Sequence, residues 1–293
     1  MNDHRIEFFN ALQSGGVGPA RPSALVADGL LHRHRIEGDK PGSLNGWHVL
    51  HLDSPASGAG GSWKAGHSVK WCSKRLSALT ASERALLSQR IEQDRKRAQG
   101  AQEARHRDAA AKAIRIWTDA APASPNHPYL LKKQIAPGIA RQSGASLVLP
   151  VVDFSGALHG LQFIDEQGGK RFISGMAKQG HFIPTGKAPD GTRTLYIAEG
   201  WATAATIQAM RPNVCTIAAC DAGNLPSVAT AARRTWGGVP IIIAPDFDKV
   251  GQEKGREACT QVGGHWLPTP ADLPTSCTDW NDWRQFQRQG VAS

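Results

Sequence analysis

A chain of 293 residues, 40% hydrophobic and 20% charged, is long enough for two domains with a sizeable core. It holds no apolar run near the ~20 residues a membrane span needs, and its opening "MNDHRIEFFNALQSGG" lacks the apolar core of a signal peptide, so neither a membrane-embedded nor a secreted protein is expected. Its five cysteines are scattered, without a C-x-x-C pair; this supports neither a zinc ribbon nor a disulfide framework and points to the reducing cytoplasm.

The formal net charge is +9, and residues 191–293 hold nine basic and nine acidic side chains, so the whole positive excess lies upstream. Such an excess attracts polyanions, nucleic acid foremost, although a basic surface also serves solubility alone.

Residues 1 to about 27 read as a short helix followed by a Gly, Pro and Ser stretch. Residues 28–75 are turn-rich with short alternating runs ("LLHRHRIEG", "GWHVLHLD"), and the segment 1–78 is expected to be a small β-rich domain. It carries Trp47, Trp63 and Trp71 together with His32, Arg33, His34 and Arg35. Indoles interleaved with bases suit single-stranded nucleic acid, because any base can stack on an indole; equally, tryptophans form the cores of small domains. Trp47, Trp63, Arg33 and Arg35 are the candidate contacts.

A helical connector is expected over 79–124. Thr80 and Glu83 have capping-box spacing, and the Ala-, Gln-, Glu- and Arg-rich stretch behind them predicts one long helix to about Trp117. Its bases Arg90, Arg95, Lys96 and Arg97 read as a solvated face or as phosphate contacts. "PASPNHPYL" then breaks the pattern.

Residues 125–190 read as a basic α+β subdomain. "SLVLPVVDFSGALHGLQFIDEQGGKRFISG" gives three strands with "DFSG" and "EQGGK" as hairpin turns, and Lys170 and Arg171 follow the second turn. "GHFIPTGKA", which ends on Lys187 and Ala188, resembles a phosphate-binding loop but has five residues between its glycines and Ala after the Lys, so no motor ATPase is expected.

From 191 the rhythm changes to "TLYIAEG", "WATAATIQAM", "NVCTIAA", "LPSVATAARRTW", "VPIIIAPDFD" and "GQEKGREACTQV". Strands alternating with helices of this length predict a parallel sheet covered on both faces. Ligands gather at the carboxyl ends of such strands. Glu199 ends the first strand; Asp246 and Asp248 end the third, and residues two apart on an extended segment share a face. Three carboxylates at one sheet edge repel unless a cation sits between them or one takes up a proton. All-oxygen ligands select Mg²⁺ or Mn²⁺. Asp248, just before "KVGQEKG", also reads as a helix N-cap.

A strand ending in Glu-Gly followed by a later D-x-D resembles the Toprim domain shared by bacterial primases, topoisomerases and some nucleases. "IAEGWATAATI" and "AACDAGNL" are similar to the version in phage and plasmid primases. Upstream, "HPYLLKKQI", "LVLPVVDFSGALHGLQFID" and "GKRFISG" resemble the basic subdomain that precedes Toprim in DnaG-type primases, and "TDWNDW" resembles the late acidic motif, so the resemblance covers about 125–285.

The resemblance implies an α/β fold with a Toprim-type sheet over 191–293. It implies a primase that makes short RNA primers from NTPs on single-stranded DNA in phage or plasmid replication, with Mg²⁺ or Mn²⁺ as cofactor and a replicative helicase as a further partner. Glu199 then matches the family glutamate, which handles protons or binds metal, and Asp246 and Asp248 match the metal-binding pair. Asp279 and Asp282 match acids that complete the cluster. Lys170 matches a lysine that contacts template or nucleotide, with Arg171 beside it and Lys187 as a further candidate. Two departures stand out: Thr203 occupies a position where cellular primases carry an acid, which bears on metal number, and no zinc ribbon precedes the core. The rival readings are a Toprim nuclease, in which the same acids direct water, and a non-catalytic nucleic-acid-binding module. A topoisomerase needs a nucleophilic tyrosine, and only Tyr129 and Tyr196 exist, the latter inside the strand that leads to Glu199.

Overall fold

A computed structural model describes residues 4–186 and 189–291. The chain divides into two compact units, residues 1–102 and 103–293. No helix among the described residues is long and apolar enough to cross a membrane.

The N-terminal unit packs helix α1 (His4–Ser14) on an antiparallel sheet in the order β1 (His32–His34), β2 (Gly46–His51), β3 (Ser57–Ser62), β4 (Ser68–Cys72). Strand β3 reads SGAGGS, a composition that argues against a strand. Its glycines admit the helix: a Cβ on Gly60 would stand 2.7 Å from Leu12 Cδ2, and one on Gly58 about as close to Phe8 as 3.0 Å. Phe8 and Leu12 are fully buried there with Val17, Leu25 and Leu50.

Beneath this core lie two buried histidines whose tautomers follow from their partners. Val26 N–H donates to His48 Nε2 (3.1 Å), which leaves the proton of that ring on Nδ1. His48 Nδ1–H then donates to His34 Nδ1 (3.1 Å), and His34 Nε2–H donates to the Val17 carbonyl (2.9 Å). The chain is complete only with both rings neutral.

Helix α2 (Ala81–Asp119) opens on the predicted capping box: Glu83 N–H donates to Thr80 Oγ1 (3.2 Å) and Thr80 N–H to Glu83 Oε2 (2.9 Å). The division between the units falls within this helix. In the N-terminal unit, His51 Nε2 meets Asp94 Oδ2 at 2.9 Å and Arg90 donates to the Pro55 carbonyl at 3.1 Å. In the C-terminal unit, Ala109 and Ala113 are buried against Val148, Leu161, Phe163 and Ile173.

The C-terminal unit contains two sheets. The first is antiparallel, in the order β5 (Ala121–Pro122), β6 (Arg141–Ser143), β7 (Ser146–Val152), β8 (Leu158–Ile164), β9 (Lys170–Phe172), with helix α3 (Pro128–Lys133) between β5 and β6 in the chain. The second is ordered β10 (Ile183–Pro184), β12 (Cys215–Ala218), β11 (Leu195–Ala198), β13 (Ile241–Ala244), β14 (His265–Trp266), parallel except for β10. Helices α4 (Trp201–Met210), α5 (Leu225–Thr235) and α6 (Lys249–Val262) connect its strands, and α7 (Trp280–Val291) follows.

Strand alternation sorts the core into two layers. Leu195, Ile197, Ile217 and Ile243 point toward α5 and α6. Tyr196, Ala198, Ala218 and Ala244 point the other way, toward α4 and the β7–β8 sheet, where they meet Leu147, Leu149 and Ile164. The antiparallel sheet thereby closes over one face of the parallel one, and its last strand, β9, is carried to the carboxyl ends of β11 and β13.

The buried histidine pair makes the N-terminal unit acid-sensitive. Burial, reinforced by the charges of His34 and His32, pushes His48 down to about 4 from an ordinary 6.5, and burial also lowers His34. The unfolded chain therefore binds more protons once the pH falls below about 6.5, and stability present above that value is lost as the pH drops toward 4. Protection of the β2 amides against hydrogen exchange, corrected for the intrinsic slowing of exchange toward acid, is expected to fall between pH 7 and 4.5, and His48→Gln is expected to flatten that response. An unchanged response in the variant assigns the acid sensitivity to another group.

Candidate active site

Glu199 is the first residue beyond β11, and Gly200 behind it starts α4. The Ala222 backbone N–H, in the loop after β12, favours the charged form of the Glu199 carboxyl. Its Oε2 is buried without a hydrogen-bond partner. Asp246 lies two residues beyond β13. Phe247 N–H bonds to the Thr278 carbonyl (2.8 Å), fixing the chain there, and Asp246 Oδ1 is likewise buried without a partner.

Asp248 is placed differently. The strand ends at Ala244, so the two aspartates do not continue its alternation. Asp248 is exposed and N-caps α6, accepting Gly251 N–H at 2.7 Å. Its charge still reaches the site, because it is the strongest like charge acting on Glu199.

The electrostatics are those of crowded, desolvated carboxylates. Burial raises Glu199 first, and the charges of Asp248 and Asp221 add to it. Asp246 is pushed up to about 8, by burial first and then by Glu199 and Asp279. Lys170 opposes both shifts. Its Nζ stands 3.7 Å from the position a Cβ on Gly200 would take, so β9 delivers its ammonium to the start of α4 beside Glu199.

Arg171 goes to the other face of β9. It pairs with Phe163 across the sheet and lays its guanidinium over that ring at 4.3 Å, on the side that buries α2. Asp279 N-caps α7, accepting the N–H groups of Asn281 and Asp282 at 2.8 Å each. Asp282 is engaged by Thr278 N–H (3.1 Å), Thr278 Oγ1–H (2.8 Å) and Lys133 Nζ (3.1 Å), and it is not among the charges acting on Asp246. Lys187 lies outside the described residues.

In the N-terminal unit, Trp63 is 51% exposed. Arg33 sits over its ring at 4.7 Å, and Trp47 lies 6.2 Å from it. Arg35 is turned to the Asp39 carbonyl (2.7 Å). Trp71 instead packs on Phe8 and His4.

Sequence reasoning passed over the loop "CDAGN", residues 220–224, as a source of working residues. Asp221 pairs with Lys178 and adds to the repulsion on Glu199. Cys220 holds φ +77°, a conformation that disfavours any residue but glycine, at the turn that brings Asp221 round. Asn224 is buried; its amide nitrogen donates to the carbonyls of Ala219 (2.8 Å), Lys178 (3.0 Å) and His181 (3.0 Å), and its oxygen accepts Gly180 N–H (2.9 Å). Among the described residues, the one group of His, Cys, Asp or Glu whose ligand atoms all lie within 4.8 Å of one another is elsewhere: Asp153, His159 and His181.

The carboxylate site fits a hard divalent cation. Glu199 and Asp246 each hold an unpartnered, buried oxygen, burial makes both resist ionising, the charge of Glu199 raises Asp246 further, and the donors are all oxygen. A bound cation removes the repulsion that otherwise favours a proton.

Residues 194–290 match the family described as Toprim domain. The chain is 35% identical over 303 residues to a DNA primase TraC of Escherichia coli, a match covering 94% of this chain and 21% of that protein. A second DNA primase TraC of Escherichia coli is 34% identical over 274 residues, covering 88% of this chain and 26% of that protein. The chain thus spans about a fifth to a quarter of the length of the curated relatives it matches. Among solved structures, the primase fragment of the bacteriophage T7 primase-helicase protein is 17% identical, with a TM-score of 0.43 over 56% of this chain and 72% of that one. Residues 194–290 are thus a Toprim domain.

Asn224→Ala is expected to lower the stability of the C-terminal unit by about 2–3 kcal/mol, since it strands several buried backbone groups at once. Urea unfolding followed by far-ultraviolet circular dichroism measures this. A loss below about 0.5 kcal/mol means that water or a repacked loop serves those groups instead.

Proposed function

We propose that this Toprim-containing chain is the catalytic part of a primase, joining NTPs into short RNA primers on single-stranded DNA. The observation that carries the reading is the meeting of Glu199 and Asp246, with their unpartnered buried oxygens, and Lys170 from the neighbouring sheet. The match to DNA primase TraC over nearly the whole chain supports it.

In this reading Glu199, Asp246 and Asp248 hold Mg²⁺ or Mn²⁺, which when bound activates an attacking 3′-hydroxyl and neutralises the departing pyrophosphate. Glu199, raised by burial and by the charge of Asp248, is the proton-handling group. Lys170 draws a phosphate to the edge of the site and offsets the negative charge gathered there. Asp248 does two jobs, since its cap on α6 fixes the direction from which its charge acts. Asp279, at the start of α7, adds negative charge from the far side, and Asp282 positions that helix through Thr278 and Lys133. The exposed Trp63, with Arg33 stacked on it and Trp47 beside it, is the proposed grip on unpaired bases in the N-terminal unit. A nuclease needs the same acids but gives Lys170 and the sheet that delivers it no evident task.

Asp246→Asn is expected to cut primer synthesis by about a hundredfold or more while leaving the metal-free thermal midpoint at neutral pH little changed, because Asp246, pushed up to about 8, is already protonated there and the amide is its neutral isostere. Asp248→Asn is expected to do the same to activity with little loss of stability, since Asn caps a helix about as well as Asp. The assay is incorporation of labelled NTPs on single-stranded DNA with Mg²⁺. Parental rates in the double variant place the chemistry elsewhere, and nicking of the template without any primer favours the nuclease.

The two basic neighbours on β9 separate the faces of the sheet. Lys170→Ala is expected to weaken NTP binding and primer synthesis by about tenfold, and Arg171→Ala to leave both within about twofold. Equal losses from the two variants place the nucleotide on the outer face of β9.

A further inference from the structure

The antiparallel bridge between Val152 and Phe182 has a consequence one step further along. Val152 and Phe182 exchange both backbone hydrogen bonds, at 2.8 and 2.9 Å. In an antiparallel pair the next residues along, Asp153 and His181, stand opposite each other with side chains on one face. The turn at 153–157 folds β8 back beside β7 and returns His159 to the same place, where its Nε2 lies 2.9 Å from Asp153 Oδ2. The His159 and His181 rings are 4.0 Å apart between centroids. Three segments thus bring two imidazoles and a carboxylate together, with ligand atoms all within 4.8 Å.

We propose that Asp153, His159 and His181 form a second metal site, separate from the Toprim carboxylates, that takes zinc or a similar borderline transition ion. Several features favour a built site over a chance surface contact. His181 Nδ1 is buried and makes no hydrogen bond of ordinary geometry, a costly state for a ring nitrogen. The Asp153 carboxylate is already oriented: its Oδ1 accepts Ser155 N–H (2.8 Å), Ser155 Oγ–H (2.6 Å) and Ala157 N–H (3.1 Å), which leaves Oδ2 for the histidines. His181 is held from behind, because Asn224 bonds to its carbonyl. Oriented ligands with supported backbones distinguish metal sites from loose surface groups.

The donor set decides the ion. Two imidazoles and one carboxylate suit zinc, cobalt, nickel or copper, whereas magnesium prefers oxygen ligands. Tetrahedral bonds of 2.0–2.2 Å separate ligand atoms by about 3.4 Å, so small side-chain rotations close the present set around an ion, with water in the fourth position. Such an ion ties the β7–β8 turn to the segment 178–181. That segment supplies Lys178, the partner of Asp221, whose charge acts on Glu199. The site therefore steadies one wall of the carboxylate site without touching it.

The test uses the full chain without a polyhistidine tag, stripped with EDTA and titrated calorimetrically with ZnCl₂, then with CoCl₂ under visible absorption. The expected result is about one Zn²⁺ per chain, not displaced by millimolar Mg²⁺, with cobalt bands of tetrahedral intensity. His159→Gln and His181→Gln are each expected to weaken that binding at least about tenfold. The Asp246→Asn/Asp248→Asn variant is expected to keep it, so failure here and failure of the primase reading are told apart. Circular dichroism of each variant checks its fold; the His159 side chain is 30% exposed, so its variant serves even where His181→Gln misfolds. Absence of zinc binding at tens of micromolar in the parent overturns the proposal, as does undiminished binding in a folded His159→Gln chain.

Discussion

Burying carboxylates beside one another is unfavourable, and the C-terminal unit is arranged around that fact. Glu199 and Asp246 stand at the carboxyl ends of neighbouring parallel strands, where backbone N–H groups and strand ends leave room for side chains but little water. Left alone, such a pair takes up a proton, which is why Asp246 is displaced to about 8. The unit answers with cationic charge from outside the sheet. Lys170 is in sequence the third strand of a separate antiparallel meander, yet it reaches both carboxylates because that meander covers one face of the parallel sheet through Leu147, Leu149 and Ile164. The packing of two apolar faces thereby sets the electrostatics of the site.

Polar side chains inside this packing fix the loops that the apolar core cannot. Asn224 ties the loop after β12 to residues 178–181, and Asn281, also buried, donates to the Lys133 carbonyl (2.7 Å) and Thr206 Oγ1 (2.8 Å), tying α7 to α3 and α4. Each satisfies backbone or hydroxyl groups from segments distant in sequence. Replacing either with an apolar residue would leave those groups unsatisfied, whereas a core Leu or Ile tolerates a change of shape at lower cost.

Legibility from sequence followed the range of the interactions. Helix α2 was readable because its cap is local, Thr80 with Glu83, and the alternation of "TLYIAEG" and its successors was readable because buried parallel strands are continuous apolar runs. Strand β3 was not, since "SGAGGS" owes its place to the approach of Phe8 and Leu12 from α1. The division of labour between Lys170 and Arg171 was hidden for the opposite reason: adjacent residues on a strand face opposite ways, and only the neighbours show which face carries the site. Asp153, His159 and His181 form no motif at all, because the pairing of Val152 with Phe182 creates their proximity. Nor can a sequence tell an acid that caps a helix from one free to bind a cation. Asp248 and Asp279 cap helices while their charges act on the site, and Asp282 has its oxygens engaged by Thr278 and Lys133.

The uneven charge of the chain acquires a meaning in this light. The stretch from 191 on is balanced, nine against nine, although it holds the acidic centre. A site made only of acids would repel a polyphosphate or a nucleic-acid strand at a distance, since such ligands are negative throughout. The basic excess lies upstream on other elements, and three of its members reach the acids: Lys170 opposes the shifts of Glu199 and Asp246, Lys178 pairs with Asp221, and Lys133 pairs with Asp282. Of these three, Lys170 opposes the shifts of both carboxylates directly, whereas Lys178 acts on Glu199 through its pairing with Asp221.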